Sequence, residues 1–180
     1  MKKILILTLA AIVPAVCGCL GQKKPDGLPD LQPVTITVTQ NGTPLANAAL
    51  NLKPLDDAAS NFTYGGTTDA KGLATIVTHG QYKGAPIGKY KVAVSCTVGE
   101  GTPPPPSPID EESARRWKEY KDSGATYEEF YVVDPKLSTV QTTTLEVEVV
   151  KGKNDLTVDC GEAVRIPVDQ GTGASGASNF

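Results

Sequence analysis

The sequence predicts an all-β domain, a sandwich of about seven strands, on three observations. Apolar residues alternate with polar ones at period two in several separate runs, the pattern of half-buried strands. Turn signals built on Gly, Asn, Asp and Pro separate those runs at short spacing. Long helix-period patterns are nearly absent, while Thr, Val, Gly and Pro abound. Apolar residues make up 39% of the chain and charged residues 21%, enough to build a core in a chain of this length.

The first strand pattern is "VTITVTQ", in which Val34, Ile36 and Val38 alternate with threonines. Asn41-Gly42 follows as a hairpin signal, and Ala46, Ala48, Leu50 and Leu52 then alternate again, predicting two strands joined near Asn41-Gly42. "TTDAKGLATIVTH" places the turn Asp69-Ala70-Lys71-Gly72 between two β-prone runs, with the Asp69 side chain expected to bond nearby backbone. "GAPIGKYKVAVSCTV" puts Tyr90, Val92, Val94, Cys96 and Val98 on one face of a strand. "TTLEVEVVKGKNDLTVDC" reads as a hairpin, with Leu145, Val147 and Val149 going out, a turn at Lys151-Gly152-Lys153-Asn154, and Leu156, Val158 and Cys160 returning. The domain is expected over residues 34–166, with a small polar tail over 167–180 that is expected to be disordered.

An insertion interrupts this pattern over residues 99–142. Pro103 to Pro106 stiffen its start into an extended segment. A helix is expected over about 108–122, with Ser107 as N-cap and Pro108 in its first position. Asp110, Glu111 and Glu112 lie near its positive end and Lys118 and Lys121 near its negative end, with Gly124 as terminator. Ile109, Ser113, Trp117 and Tyr120 fall on one narrow stripe at 3.6 residues per turn. Five of the ten aromatics of the chain lie here: Trp117, Tyr120, Tyr127, Phe130 and Tyr131. Such a cluster suits a carbohydrate or partner platform, but a short amphipathic helix must bury its stripe somewhere, so packing onto a sheet face is the favoured expectation.

The N-terminus has a different logic. Lys2 and Lys3 precede an uncharged stretch from Ile4 to Gly21, the layout of a secretory signal. Its apolar core is short for a membrane span and holds Pro14. Gly18 directly precedes Cys19, with Val16 three positions before the cysteine. This resembles the bacterial lipobox, which implies cleavage after residue 18 and lipid on Cys19. Cys17 leaves with the signal in this reading. Two acyl chains exceed the single-chain limit for stable anchoring. Leu20 in place of an aspartate points to the outer membrane. Residues 19–33, polar and carrying three prolines and two glycines, form a flexible tether. Loss of the leader moves the formal charge from −3 to −5. No basic block survives, so nucleic acid is not an expected partner.

The starting strand, "NGTPLANAALNLKP", "GGTTDAKGLATI", "GAPIGKYKVAV" and "TTLEVEVVKGKNDLTVD", taken in order, resemble the carboxypeptidase regulatory-like (transthyretin-like) domains. Among them the chain resembles the short lipoproteins of planctomycete-type bacteria that carry that domain. The resemblance covers about Val34 to Asp159 apart from the insertion. It implies a prealbumin-like, Ig-related seven-stranded Greek-key sandwich, and a fold alone does not license a function. The transthyretin-related hydrolases need several histidines and a C-terminal Tyr-Arg-Gly-Ser, but this chain has one histidine, His79, and ends in "ASNF". Adhesin-type isopeptide sandwiches need a lysine on the first strand, and "VTITVTQ" has none.

Chemistry-bearing patterns are few. His79 lies beside Gly80 at a strand end, a loop position, and one histidine excludes a Cys/His metal cluster. Asp56 and Asp57 are adjacent and would face opposite ways along a strand. No G-x-S-x-G elbow is present. No enzyme, cofactor or metal is implied. The expectation is a non-catalytic, lipid-anchored envelope sandwich that meets the membrane through its lipid and an envelope protein or polysaccharide through its surface. The alternative is a carbohydrate-binding module built on the aromatic cluster. Cys96 and Cys160 remain as the thiols of the domain. Both are predicted to face one core, as a disulfide pair or as two buried thiols.

Overall fold

A computed structural model describes residues 27–56 and 61–168. The expectations for the leader, Cys17, Cys19, most of the tether, Asp57 and residues 169–180 lie outside the described residues. The described chain is mostly β, in several largely antiparallel sheets with one α-helix, and its architecture is sandwich-like.

The four-stranded sheet is built around β1 (Val34–Gln40). β1 runs parallel to β12 (Asn154–Asp159) on one edge. On its other edge it meets β2 (Thr43–Pro44) and β5 (Leu73–Thr75), both antiparallel. The six-stranded sheet has the order β11 (Glu146–Val149), β8 (Gly88–Ser95), β3 (Ala49–Pro54), β4 (Tyr64–Thr67), β6 (Val77–Thr78) and β7 (Tyr82–Lys83). The alternating residues do face one core. Val34, Ile36, Val38, Leu50, Leu52, Tyr90, Val92, Val94, Val147, Val149 and Val158 are all buried. Within it the rings of Tyr64 and Tyr90 meet edge-on at 5.6 Å, and Tyr90 satisfies its hydroxyl by donating to Pro86 O at 2.8 Å. Val98 departs from the predicted face and is 41% exposed, because by then its strand has left the sandwich.

Two strand pairings differ from expectation. The turn at Asn41-Gly42 forms, with φ of 47° and 76°, as two-residue hairpin loops favour. Its hairpin is only two pairs long, Thr39↔Pro44 and Gln40↔Thr43. Asn47, at φ 58°, then turns the chain away, and Ala48, Leu50 and Leu52 bury themselves from the other sheet. The predicted hairpin of residues 145–160 is instead an arch: β11 pairs with β8 and β12 with β1. The reason is Asn154. Its side chain accepts from Val150 N at 2.9 Å and donates to Val150 O and Gly152 O at 3.0 and 2.9 Å. The connection is thus closed by a side chain, and the backbone of β12 is left to β1.

Asp159 holds the opposite end of the same strand. Its carboxylate accepts from Thr39 Oγ1 at 2.6 Å, Gly42 N at 2.9 Å, Asn41 N at 3.3 Å and Gly161 N at 2.7 Å. These donors hold its pKa down at about 2. A carboxylate with a depressed folded pKa stabilises fully above its unfolded pKa of about 4, and that contribution disappears as pH falls through the folded value. Urea midpoints should therefore fall between pH 4 and pH 2 in the wild type. Asp159→Asn should lower the midpoint at pH 7 and flatten that slope. An unchanged slope in the variant would assign the acid sensitivity elsewhere.

Asp69 behaves as predicted, accepting from Lys71 N at 2.8 Å and Leu73 N at 3.0 Å, which lowers its pKa. The last residues of the tether are already part of the fold. Gln32 bridges to Ala85, and its side chain accepts from Gly152 N at 2.8 Å.

Candidate functional site

The insertion is a three-stranded arm that grows out of β8. After Cys96 the same strand continues as β9 (Thr97–Gly101), which pairs antiparallel with β10 (Tyr127–Tyr131). β13 (Ile166–Pro167) adds to the far side of β10, so the segment expected to close the sandwich and open the tail belongs to the arm. Two glycines fit this hairpin together. A Cβ on Gly101, whose φ is 95°, would lie 2.1 Å from Thr126 O, and one on Gly99 would lie 2.2 Å from the Tyr127 hydroxyl.

The helix α1 spans Glu111–Asp122 and starts later than predicted. Its N-cap is Asp110, not Ser107. Asp110 Oδ1 accepts from Ser113 N at 2.8 Å, while Ser113 Oγ accepts from Asp110 N at 3.0 Å. That reciprocal pair satisfies two orphan donors. Ile109 is therefore outside the helix and 92% exposed, not on its buried stripe.

Trp117 and Tyr120 face the proline-rich segment, where a sheet face was expected. Trp117 Nε1 donates to Pro106 O at 2.6 Å, and the Tyr120 hydroxyl donates to Thr102 O at 2.9 Å. Their rings meet edge-on at 6.0 Å, and Lys121 Nζ sits 5.7 Å from the Trp117 ring. Thus the helix clasps the extended segment at both ends. Outside this clasp its surface is charged, with Lys118–Asp122 at 2.7 Å and Arg115–Glu119 at 3.8 Å as exposed pairs of little energetic weight. A helix of this length is marginal alone, so Trp117→Ala should melt α1. Amide exchange across 111–122 should become fast, while the global unfolding free energy moves by less than about 1 kcal/mol. Cooperative loss of the whole domain would contradict that local role.

The five aromatics do not form one platform. Alternation along β10 puts Tyr127 and Tyr131 on one face and Phe130 on the other. The Tyr127 hydroxyl donates to Glu129 at 3.0 Å, and that bond, with burial and the nearby charges of Glu129 and Tyr120, raises its pKa. Phe130 is buried beneath Arg165, whose guanidinium lies 3.7 Å from the ring centre. Arg165 also forms a two-pronged pair with Glu100, its second bond being 2.8 Å. The pair depresses the Glu100 pKa and raises that of Arg165. Sequence reasoning missed Arg165. Its only signal was an isolated arginine in "EAVRIPV", next to a β-branched residue and beyond the region assigned to the insertion.

Cys96 and Cys160 are both free thiols and both buried. Cys96 Sγ donates to Ala46 O at 3.7 Å. Burial pushes both thiols up. Cys160 reaches about 11, with the charges of Asp159 and Cys96 adding to the effect.

His79 lies in an exposed turn at φ 53°. Among the described residues no group of three or more His, Cys, Asp or Glu could hold a metal, and no helix is long and apolar enough to cross a membrane. A groove of about 370 Å³ lies over Gly65 and Gly66, between Ala49, Thr67, Thr75 and Val77. It offers hydroxyls and backbone but no ionisable side chain. Comparison with protein-family profiles, with curated proteins and with solved structures finds no match.

Proposed function

We propose that this chain is a non-catalytic, lipid-anchored protein of the bacterial cell envelope, and that its arm is the part that meets an envelope protein. The observation that carries the reading is the clasp. Trp117 and Tyr120 hold the chain from Thr102 to Pro106 by its carbonyls, while Pro103, Pro104, Pro106, Pro108 and Ile109 stay exposed. Holding an extended proline segment in advance removes ordering entropy from binding. Proline-rich strands of this kind are read by aromatic-lined grooves on partner proteins. The anchoring half rests on Lys2-Lys3, the apolar stretch and Gly18-Cys19. The prealbumin-like Greek key of the carboxypeptidase regulatory-like domains belongs to the same reading. Its support is that the chain passes between sheets both after β5 and at residues 150–153.

A polysaccharide ligand has less support, since Phe130 is stacked under Arg165 and the polar edges of Trp117 and Tyr120 are used within the arm.

Two measurements test this. Cys19→Ala should abolish acyl labelling and release the protein from the membrane fraction, and retention with full labelling would overturn the anchor. A photo-crosslinking residue at Ile109 should give a discrete protein adduct in the native cell, and the same residue at exposed Lys53 should not. Equal yields, or an adduct from Lys53 alone, would remove the arm from the binding surface.

A further inference from the structure

Cys96 and Cys160 occupy matching corners of the two sheets. Cys96 is the single residue between β8 and β9, where the strand leaves the sandwich and becomes the arm. Cys160 is the first residue after β12 and donates its backbone N–H to Thr39 O at 2.8 Å. The next residue of β1, Gln40, reaches across with its side-chain amide to Val132 O at 2.7 Å. Val132 in turn donates to Cys96 O at 3.1 Å and accepts from Val164 N at 3.1 Å. Hydrogen bonds, joined through the Thr39–Gln40 peptide and the Gln40 side chain, therefore link the backbones of the two cysteines at the root of the arm. Both side chains belong to the same buried cluster, at 5% and 6% exposure.

We infer that Cys96 and Cys160 are the site of an inter-sheet disulfide that fastens the root of the arm to the four-stranded sheet. The inference does not depend on the arm having a partner. Bond formation joins the two Sγ atoms, and each thiol gives up its hydrogen. The two electrons and two protons reduce a disulfide oxidant, glutathione disulfide or a protein disulfide oxidase, to two thiols. Attack requires a thiolate, and burial suppresses thiolate on both residues of the folded chain. The bond accordingly forms before the two sheets close over it, and the folded, reduced protein is slow to oxidise. Once made, the bond closes a loop containing β9, α1 and β10, which restricts the unfolded chain strongly.

The full chain carrying Cys17→Ser and Cys19→Ser leaves only this pair. Refolded from the reduced, denatured state in a glutathione redox buffer, it should be monomeric and lighter by two hydrogens. It should also resist alkylation in denaturant until a reductant is added. Reduction should lower Tm by about 10 °C and speed amide exchange at Val132 and Val164. Should Cys96→Ser fail to fold, the oxidised and reduced forms of the same chain still give the comparison. Two thiols open to alkylation after such refolding, or a Tm unchanged by reduction, would overturn the inference.

Discussion

Replacing Asn154 with alanine is expected to destabilise the domain by about 2 kcal/mol, the loss of several hydrogen bonds made by one buried side chain. The residue is 3% exposed, whereas Val150, Gly152 and Pro33 lie at the surface, so water can serve part of what it leaves behind. Alanine removes the acceptor for Val150 N and the donor to Val150 O, Gly152 O and, at 3.3 Å, Pro33 O. The groups of Val150 and Gly152 belong to the arch, and no ladder bond is positioned to replace the side chain there. The backbone N of Asn154 also donates to Pro33 O at 2.9 Å, so one residue ties the entry of β1 to the arch and thereby sets where the tether leaves the fold. Asn154→Asp should cost at least as much, because it exchanges a buried donor for a charge. Chemical denaturation of both variants decides the point, and a loss under 1 kcal/mol for alanine would show the arch to be held by other groups.

The same asparagine marks the limit of what the sequence made legible. Alternation identifies which side of a strand is buried, and it did so for Val34 to Val38, Tyr90 to Val94 and Val147 to Val149. It says nothing about which strand lies alongside. The sequence on either side of Lys151-Gly152 is that of a hairpin, and the side chains of Asn154 and Gln32 hold it as a crossing between sheets. The helix start was ambiguous for a similar reason. Ser107 and Asp110 are both competent caps, but only Asp110 has a residue three positions on that returns its bond. In the arm, the aromatic cluster was visible as composition. Its division into a clasp around prolines and a ring under Arg165 was not, because the Arg165–Glu100 contact joins residues 65 positions apart. Neighbours in sequence carry no trace of such a partner.

Gly66→Ala is the second large effect expected, a loss of about 3 kcal/mol or more, and it follows from the way the two sheets are joined. Residues 73–78 form one extended run that serves both. Its first half, β5, pairs with β1, and its second half, β6, pairs with β4 through Tyr64↔Thr78 and Gly65↔Val77. Between them Ile76 N donates to Val34 O at 3.0 Å and Ile76 O accepts from Gly84 N at 2.8 Å, so the run parts from β4 just beside Gly66. A Cβ there would lie 2.6 Å from Thr75 O and 3.6 Å from Ile76 Cδ1. The first neighbour is backbone fixed by β1, and on its other side Gly66 is held against Leu50 in β3. Neither can yield without opening a sheet. Gly80→Ala is the useful contrast, since its φ of 69° disfavours a side chain but nothing lies within 4 Å of the new Cβ. That variant should lose only about 1 kcal/mol, the cost of the left-handed backbone alone. Unfolding free energies in urea separate the two effects. A loss for Gly66→Ala no larger than that for Gly80→Ala would mean that the joint between the sheets has slack, and that β4 moves aside without disturbing the run that links them.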